Sequence, residues 1–128
     1  MLRLAGKRAL VVDDNRTNLK IAMRMLNKLG IEAVIVDSGA QALSQTSTTV
    51  FDVILLDVQM PELDGYETAR QLRDRGVQSP IIAYTAHALG ADVEKCFEAG
   101  MTEHIGKPML LEHLQAKLLK VFPETEAG

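Results

Sequence analysis

Several short segments of this chain end in side chains suited to handling a metal ion or a phosphoryl group. "LVVDDN" closes on Asp13 and Asp14, "VILLDVQMP" carries Asp57, "IIAYTA" carries Thr85 and "HIGKP" carries Lys107. Each has an ordinary explanation taken alone. Asp13, Asp14 or Asn15 would cap a following helix, Asp57 would serve as a loop acid, Thr85 as another cap and Lys107 as a solvated charge. Together they form a donor set. Two carboxylates about 4 Å apart repel by roughly 4 kcal/mol at an effective dielectric near 20, so three in one place must protonate or hold a cation. With Lys107 and one divalent ion the local formal charge falls to about zero, and oxygen ligands with room for water favour Mg²⁺ over zinc. Mg²⁺ held by so few protein groups commonly completes its shell with phosphate, and a carboxylate beside it can act as the nucleophile and become an aspartyl phosphate. Asp57, alone at the end of its segment, suits that role. Asp13 and Asp14 are left as metal ligands, direct or through water.

For these groups to meet, the segments before them must be neighbouring strands. Nearly continuous apolar runs mark strands at Arg8–Val12, Glu32–Val36, Val53–Leu56, Ile81–Tyr84 and Thr102–Ile105. Such runs belong in a parallel sheet covered on both faces. Amphipathic stretches lie between them. Leu19, Ala22, Met23, Leu26 and Leu29 form one stripe, closed by Gly30, and Ser38 with Gln41 and Asp64 with Glu67 make capping-box patterns for the next two helices. Leu89, Val93, Cys96 and Phe97 mark a fourth helix ended by Gly100; Leu110, Leu111, Leu114, Leu118 and Val121 mark a fifth stopped by Pro123. Right-handed crossovers then build an open α/β sheet with helices on both sides, and the carboxyl ends of its strands collect on one edge, where such folds bind ligands. The second strand ends in an ordinary Asp37–Ser38 turn; the other four end in the polar groups above.

These residues, in this order, resemble the receiver domain of two-component response regulators: an acidic pair after the first strand, "LLDVQMPELDG" around the third, "TA" after the fourth and "KP" after the fifth. The match spans essentially the whole chain. It implies a flavodoxin-like three-layer sandwich with a five-stranded parallel sheet of order 2-1-3-4-5 and five helices. Residues 1–123 would form the domain and 124–128 a flexible tail. It implies Asp57 as phosphoacceptor from phosphohistidine, Asp14 as direct Mg²⁺ ligand, Asp13 acting partly through water, and the backbone carbonyl of Gln59 completing the protein's share. Thr85 would bond a phosphoryl oxygen, Ala86 would leave room for it, Lys107 would pair with it, and the Lys107–Pro108 bond would be cis. Gln59 and His87 would tune the phosphoryl lifetime. Where the family usually has Tyr or Phe three residues before the lysine, this chain has His104, a smaller ring that titrates near neutral pH. That departure puts signalling by an aromatic switch in doubt.

The flanking segments are similar to receivers attached to hybrid sensor histidine kinases, which pass the group to a histidine phosphotransfer protein. The resemblance therefore implies a cytoplasmic phosphorelay module, either part of a longer, membrane-anchored sensor kinase or free-standing, that is a monomer or weak dimer. It implies no turnover beyond its own phosphorylation and slow dephosphorylation. Composition agrees. In 128 residues, 14 basic against 17 acidic side chains leave a net charge of −3, with no basic block for nucleic acid or lipid. No apolar run reaches the roughly 18 residues a membrane span requires. The lone Cys96 forms no internal disulfide. A dehalogenase-type phosphatase would need an acid two places after the nucleophile, where Gln59 stands. A flavodoxin would need a Ser/Thr-rich phosphate loop where Asp13-Asp14-Asn15 stands. An interaction domain that has given up phosphorylation would typically lack an acid or the lysine, and all are present.

Overall fold

The structure, a computed structural model, describes residues 6–58, 64–85, 91–106 and 110–122, the side chains of 91 and 92 excepted. Strands and helices alternate: β1 (Arg8–Val12), α1 (Arg16–Lys28), β2 (Glu32–Val36), α2 (Gly39–Thr46), β3 (Val53–Asp57), α3 (Gly65–Asp74), β4 (Ile81–Thr85), α4 (Ala91–Glu98), β5 (Glu103–Gly106) and α5 (Leu111–Val121). All strand pairs are parallel and the order is β2-β1-β3-β4-β5, as the sequence resemblance implies. β3 and β4 run one residue beyond their apolar runs, to Asp57 and Thr85, and β5 lies one residue later than expected. The ladder pairs Asp57 with Tyr84 and Thr85 with Gly106. Backbone pairing ignores side-chain polarity, so hydropathy stops one residue short of where the strand does.

Alternation along the strands sorts the side chains into two cores. Leu10, Val12, Ile54, Leu56 and Ala83 face α2, α3 and α4, where they meet Leu43, Leu72 and Cys96. Val11, Val53, Leu55, Ile82 and Ile105 face α1 and α5, where they meet Leu19, Leu26, Leu114 and Leu118. A buried leucine of this kind contributes about 1.5–3 kcal/mol by leaving water. The central strands are therefore pinned from both sides, and the residues at their carboxyl ends inherit that rigidity. Cys96, on the apolar stripe of α4, is buried.

The helix ends show what local chemistry settles. Asn15, not either aspartate, caps α1, its side chain accepting from Asn18 N–H at 3.0 Å. Ser38 caps α2 through Gln41 N–H, but Gln41 reaches back to the N–H of Asp37 rather than of Ser38. Asp64 caps α3 through Glu67 N–H, while Glu67 turns to Arg70 and Gln71. Gly30, with φ +85°, ends the first helical unit in the left-handed region that favours glycine. Arg73, near the end of α3, donates to the carbonyls of Gly100, Val77 and Ser79 at 2.8–2.9 Å, tying the α3–β4 and α4–β5 turns together.

Gly65 at the start of α3 lies against the end of β3. A methyl there would strike the carbonyl oxygen of Asp57 and stand 2.5 Å from Cα of Val58. Only a hydrogen lets α3 start this close to the central strand. At the opposite edge, α5 has no side-chain cap. One carboxylate holds it instead: Glu103 of β5 takes Lys117 Nζ on one oxygen and Lys120 Nζ on the other, each at 2.9 Å. Burial alone would raise the Glu103 carboxyl. The hydrogen bonds from Lys120, Lys117 and the His104 N–H, with the charge of Lys117, outweigh it and hold the pKa at about 2.

Two outcomes are expected. Gly65→Ala should lower stability by about 1–3 kcal/mol in urea denaturation, as overpacking against unyielding backbone does; an unchanged midpoint would show the contact to be soft. Because the folded Glu103 is depressed from 4.5 to about 2, its contribution is complete above 4.5 and disappears as pH falls toward 2. Glu103→Gln should therefore flatten the pH dependence of the melting temperature across that acid window.

Candidate functional site

The parallel register brings the acids together. Val12 of β1 pairs with Leu56 of β3, so Asp13 and Asp57, each the next residue, stand abreast at the carboxyl edge. Asp14 follows on the turn into α1. One carboxylate oxygen from each of Asp13, Asp14 and Asp57 can be chosen so that all lie within 4.8 Å of one another. Asp13 is 1% exposed and Asp57 2% exposed, whereas Asp14 faces solvent. Asp13 Oδ1 accepts the N–H of Asn15 at 2.9 Å, which fixes the carboxylate and shapes the turn. With Asn15 assigned to capping, neither aspartate is needed at the helix end, and both carboxylates remain at the edge.

The donor set fits a hard divalent cation. Three carboxylates, two of them buried, lie within the span of one small ion, and the exposed Asp14 leaves a side open to water. Oxygen-only ligation of this kind suits Mg²⁺, and among the described residues the cluster holds carboxylates alone. Thr85, also buried, ends β4 next to β3 in the sheet. Its pairing with Gly106 sets the register of the strand that leads to Lys107. Lys107 itself, the Lys107–Pro108 peptide, Gln59, Ala86 and His87 lie outside the described residues.

His104 occupies β5 and pairs with Ala83. Its ring meets Phe97 of α4 edge-on, with centroids 6.3 Å apart at 65°. Burial lowers its pKa below 6.5, and the Lys117 charge lowers it further, against an opposing pull from Glu103. His113 is exposed on α5, as its place on the polar side of that helix indicates. The sequence signals no role for Gly65, although it closes the "LLDVQMPELDG" segment. A glycine at the first position of a helix carries no turn signal; its function lies in approach to a strand distant in neither sequence nor space but invisible to periodicity. The Glu103 clamp was missed for a related reason, because Lys117 and Lys120 read as ordinary polar-face charges.

Residues 9–119 match the family model described as the response regulator receiver domain. Among curated proteins the chain is similar to hybrid signal transduction histidine kinase L of Dictyostelium discoideum, 44% identical over 84% of this chain and 7% of that protein. It is also similar to signal transduction histidine-protein kinase BarA of Escherichia coli strain K12, 37% identical over 89% of this chain and 13% of that one. The chain thus spans only a small fraction of these relatives. Among solved structures it superposes on the receiver domain of sensor histidine kinase PA1611 from Pseudomonas aeruginosa PAO1, which has a magnesium ion coordinated in its active site cleft. The TM-score is 0.85 with 38% identity, over 92% of this chain and 98% of that one. The receiver domain of the histidine kinase CKI1 from Arabidopsis thaliana, complexed with Mg²⁺ and BeF₃⁻, gives a TM-score of 0.77 and 34% identity over 90% and 91% of the two chains. With the parallel order β2-β1-β3-β4-β5 and the acidic cluster at its carboxyl edge, the chain belongs to the response regulator receiver domain family of two-component signalling.

Proposed function

We propose that this domain takes a phosphoryl group from phosphohistidine onto Asp57 in a Mg²⁺-dependent reaction and relays it to a histidine phosphotransfer protein. The observation that carries the reading is the convergence of Asp13, Asp14 and Asp57 within one ion's span, with Asp57 buried at the end of the central strand. The likeness to receivers of hybrid kinases supports the relay, and the magnesium-bound neighbours support the cation.

In the transfer, a carboxylate oxygen of Asp57 forms a bond to phosphorus as the phosphorus–nitrogen bond of the donor breaks. The electron pair of that bond stays with the imidazole nitrogen, which takes a proton from solvent. Asp14 would bind the ion directly and Asp13 partly through water, with an oxygen of Asp57 and the Gln59 carbonyl completing the protein's share. When bound, Mg²⁺ offsets the negative charge that gathers on the phosphoryl oxygens. The Thr85 hydroxyl would donate to one of those oxygens, Ala86 would leave space for it, and the Lys107 ammonium would pair with it. Burial of Asp57 by the β3 neighbours limits its freedom, so the nucleophile is presented in one orientation. The domain runs through residues 1–123, with 124–128 as a tail, and works as a monomer or weak dimer in the cytoplasm, within a longer sensor kinase or alone. It turns over no external substrate beyond its own phosphorylation and slow dephosphorylation.

Phosphorylation adds charge and acceptors at the edge, biasing the conformations available to neighbouring helices. Incubation with acetyl phosphate and Mg²⁺ should give a hydroxylamine-sensitive adduct by intact-protein mass spectrometry. It should be missing without Mg²⁺ and in Asp57→Asn; persistence of the adduct in that variant would refute Asp57 as acceptor. Asp14→Asn should raise the Mg²⁺ concentration for half-maximal phosphorylation by roughly tenfold or more, the scale seen when even an outer partner of a metal site is removed.

A further inference from the structure

His104 is placed where a proton would be hard to accommodate. Its Nδ1 is buried and, among the described residues, has no hydrogen-bond partner. A neutral imidazole tolerates this, because one of its nitrogens bears no proton. An imidazolium does not, since both nitrogens then carry N–H donors and the buried one has nothing to donate to.

The surroundings add to the cost. From α5, Lys117 and Lys120 bring two positive charges toward β5; the single neighbouring carboxylate, Glu103, is already shared between them and also accepts the backbone N–H of His104. From α4 the ring meets only the apolar Phe97. The charged side chains described on α4, Glu94, Lys95 and Glu98, are exposed, and the Lys95 ammonium lies over the Tyr66 ring at 6.0 Å. From β4 the register partner is Ala83, which carries no charge. Glu112 and His113 at the start of α5 are exposed. Among the described residues, no carboxylate is left over to compensate a charged ring.

We infer that the seam between α4 and β5 is a proton-gated contact: neutral His104 stays packed under Phe97, and protonated His104 swings into solvent, releasing Phe97 and with it the outer face of α4. Phe97 is already 47% exposed, so only one side of its ring contact must be given up. The lowered pKa of His104, caused first by burial and then by Lys117, agrees with this geometry. The direction of the effect follows. The neutral ring is favoured in the fold, so stability from this site is complete above 6.5 and is lost as pH falls, levelling off once the folded ring is itself protonated. This window opens at 6.5, whereas the Glu103 contribution begins to fall only at 4.5. The inference stands independently of phosphoryl transfer.

The test is a pH titration of the unphosphorylated domain by nuclear magnetic resonance, following the His104 ring, the Phe97 ring and the α4 backbone amides. The His104 midpoint is expected below that of the same residue in the urea-unfolded chain, with the Phe97 and α4 signals shifting along the same curve. In His104→Phe, which keeps an aromatic ring but cannot titrate, those shifts should vanish. The proposal is overturned if the α4 signals do not follow the His104 midpoint, or if they still titrate in His104→Phe. Should that variant fail to fold, the wild-type comparison of His104 and Phe97 midpoints decides alone.

Discussion

Mutual repulsion among Asp13, Asp14 and Asp57 is the constraint around which the rest of the domain is arranged. Like charges a few ångströms apart in a partly dry setting are worth several kcal/mol against folding, which is a sizeable share of the stability of a small domain. The fold meets that cost by placing the acids at the rim, with Asp14 in contact with water. An edge built this way attracts a cation. Its affinity for positive charge is a direct result of the chain having been forced to hold three negative groups together.

Rigidity is what makes such crowding useful. β1 and β3 are covered by helices on both faces, and their residues just before the acids are almost wholly buried. The acids therefore cannot drift apart to relieve their repulsion without disturbing two cores. Asn15 takes the capping task that an aspartate would otherwise have performed, and Gly65 allows α3 to begin directly against the Asp57 backbone. Both small details keep carboxylates available and in place. Neither adds a functional group of its own.

The far side of the sheet is organised on different terms. There, Ile105 of β5 shares a core with Leu114 and Leu118 of α5, Glu103 engages two lysines of α5, and β5 touches α4 through an imidazole and a phenyl ring. Two of the contacts described at this edge, those of Glu103 and His104, involve groups that titrate. By contrast, Arg73 secures the opposite ends of β4 and β5 through backbone carbonyls, which do not change charge with pH. One end of the β4–β5 edge is thus held by bonds indifferent to protons, while its flank responds to them. Local opening is expected to favour such thinly supported elements over the doubly covered centre.

Much was determined by sequence alone. Apolar runs located all the strands to within a residue, Ser38 and Asp64 announced their helices, and the acids after the first and third strands marked the edge where the carboxylate cluster gathers. These signals are local: period, capping and turn chemistry act within a few residues, so the chain states them in order. What only the tertiary structure decided was which groups meet. That Asn15 and not its acidic neighbours caps α1, that Gly65 is required by Asp57, that one glutamate anchors two lysines, and that His104 has a buried nitrogen with no partner among the described residues all depend on register between strands and on the packing of helices across them. Such distances are set by the whole fold at once, since side-chain contact across a sheet is a property of neighbouring elements and not of the segment that carries the residue.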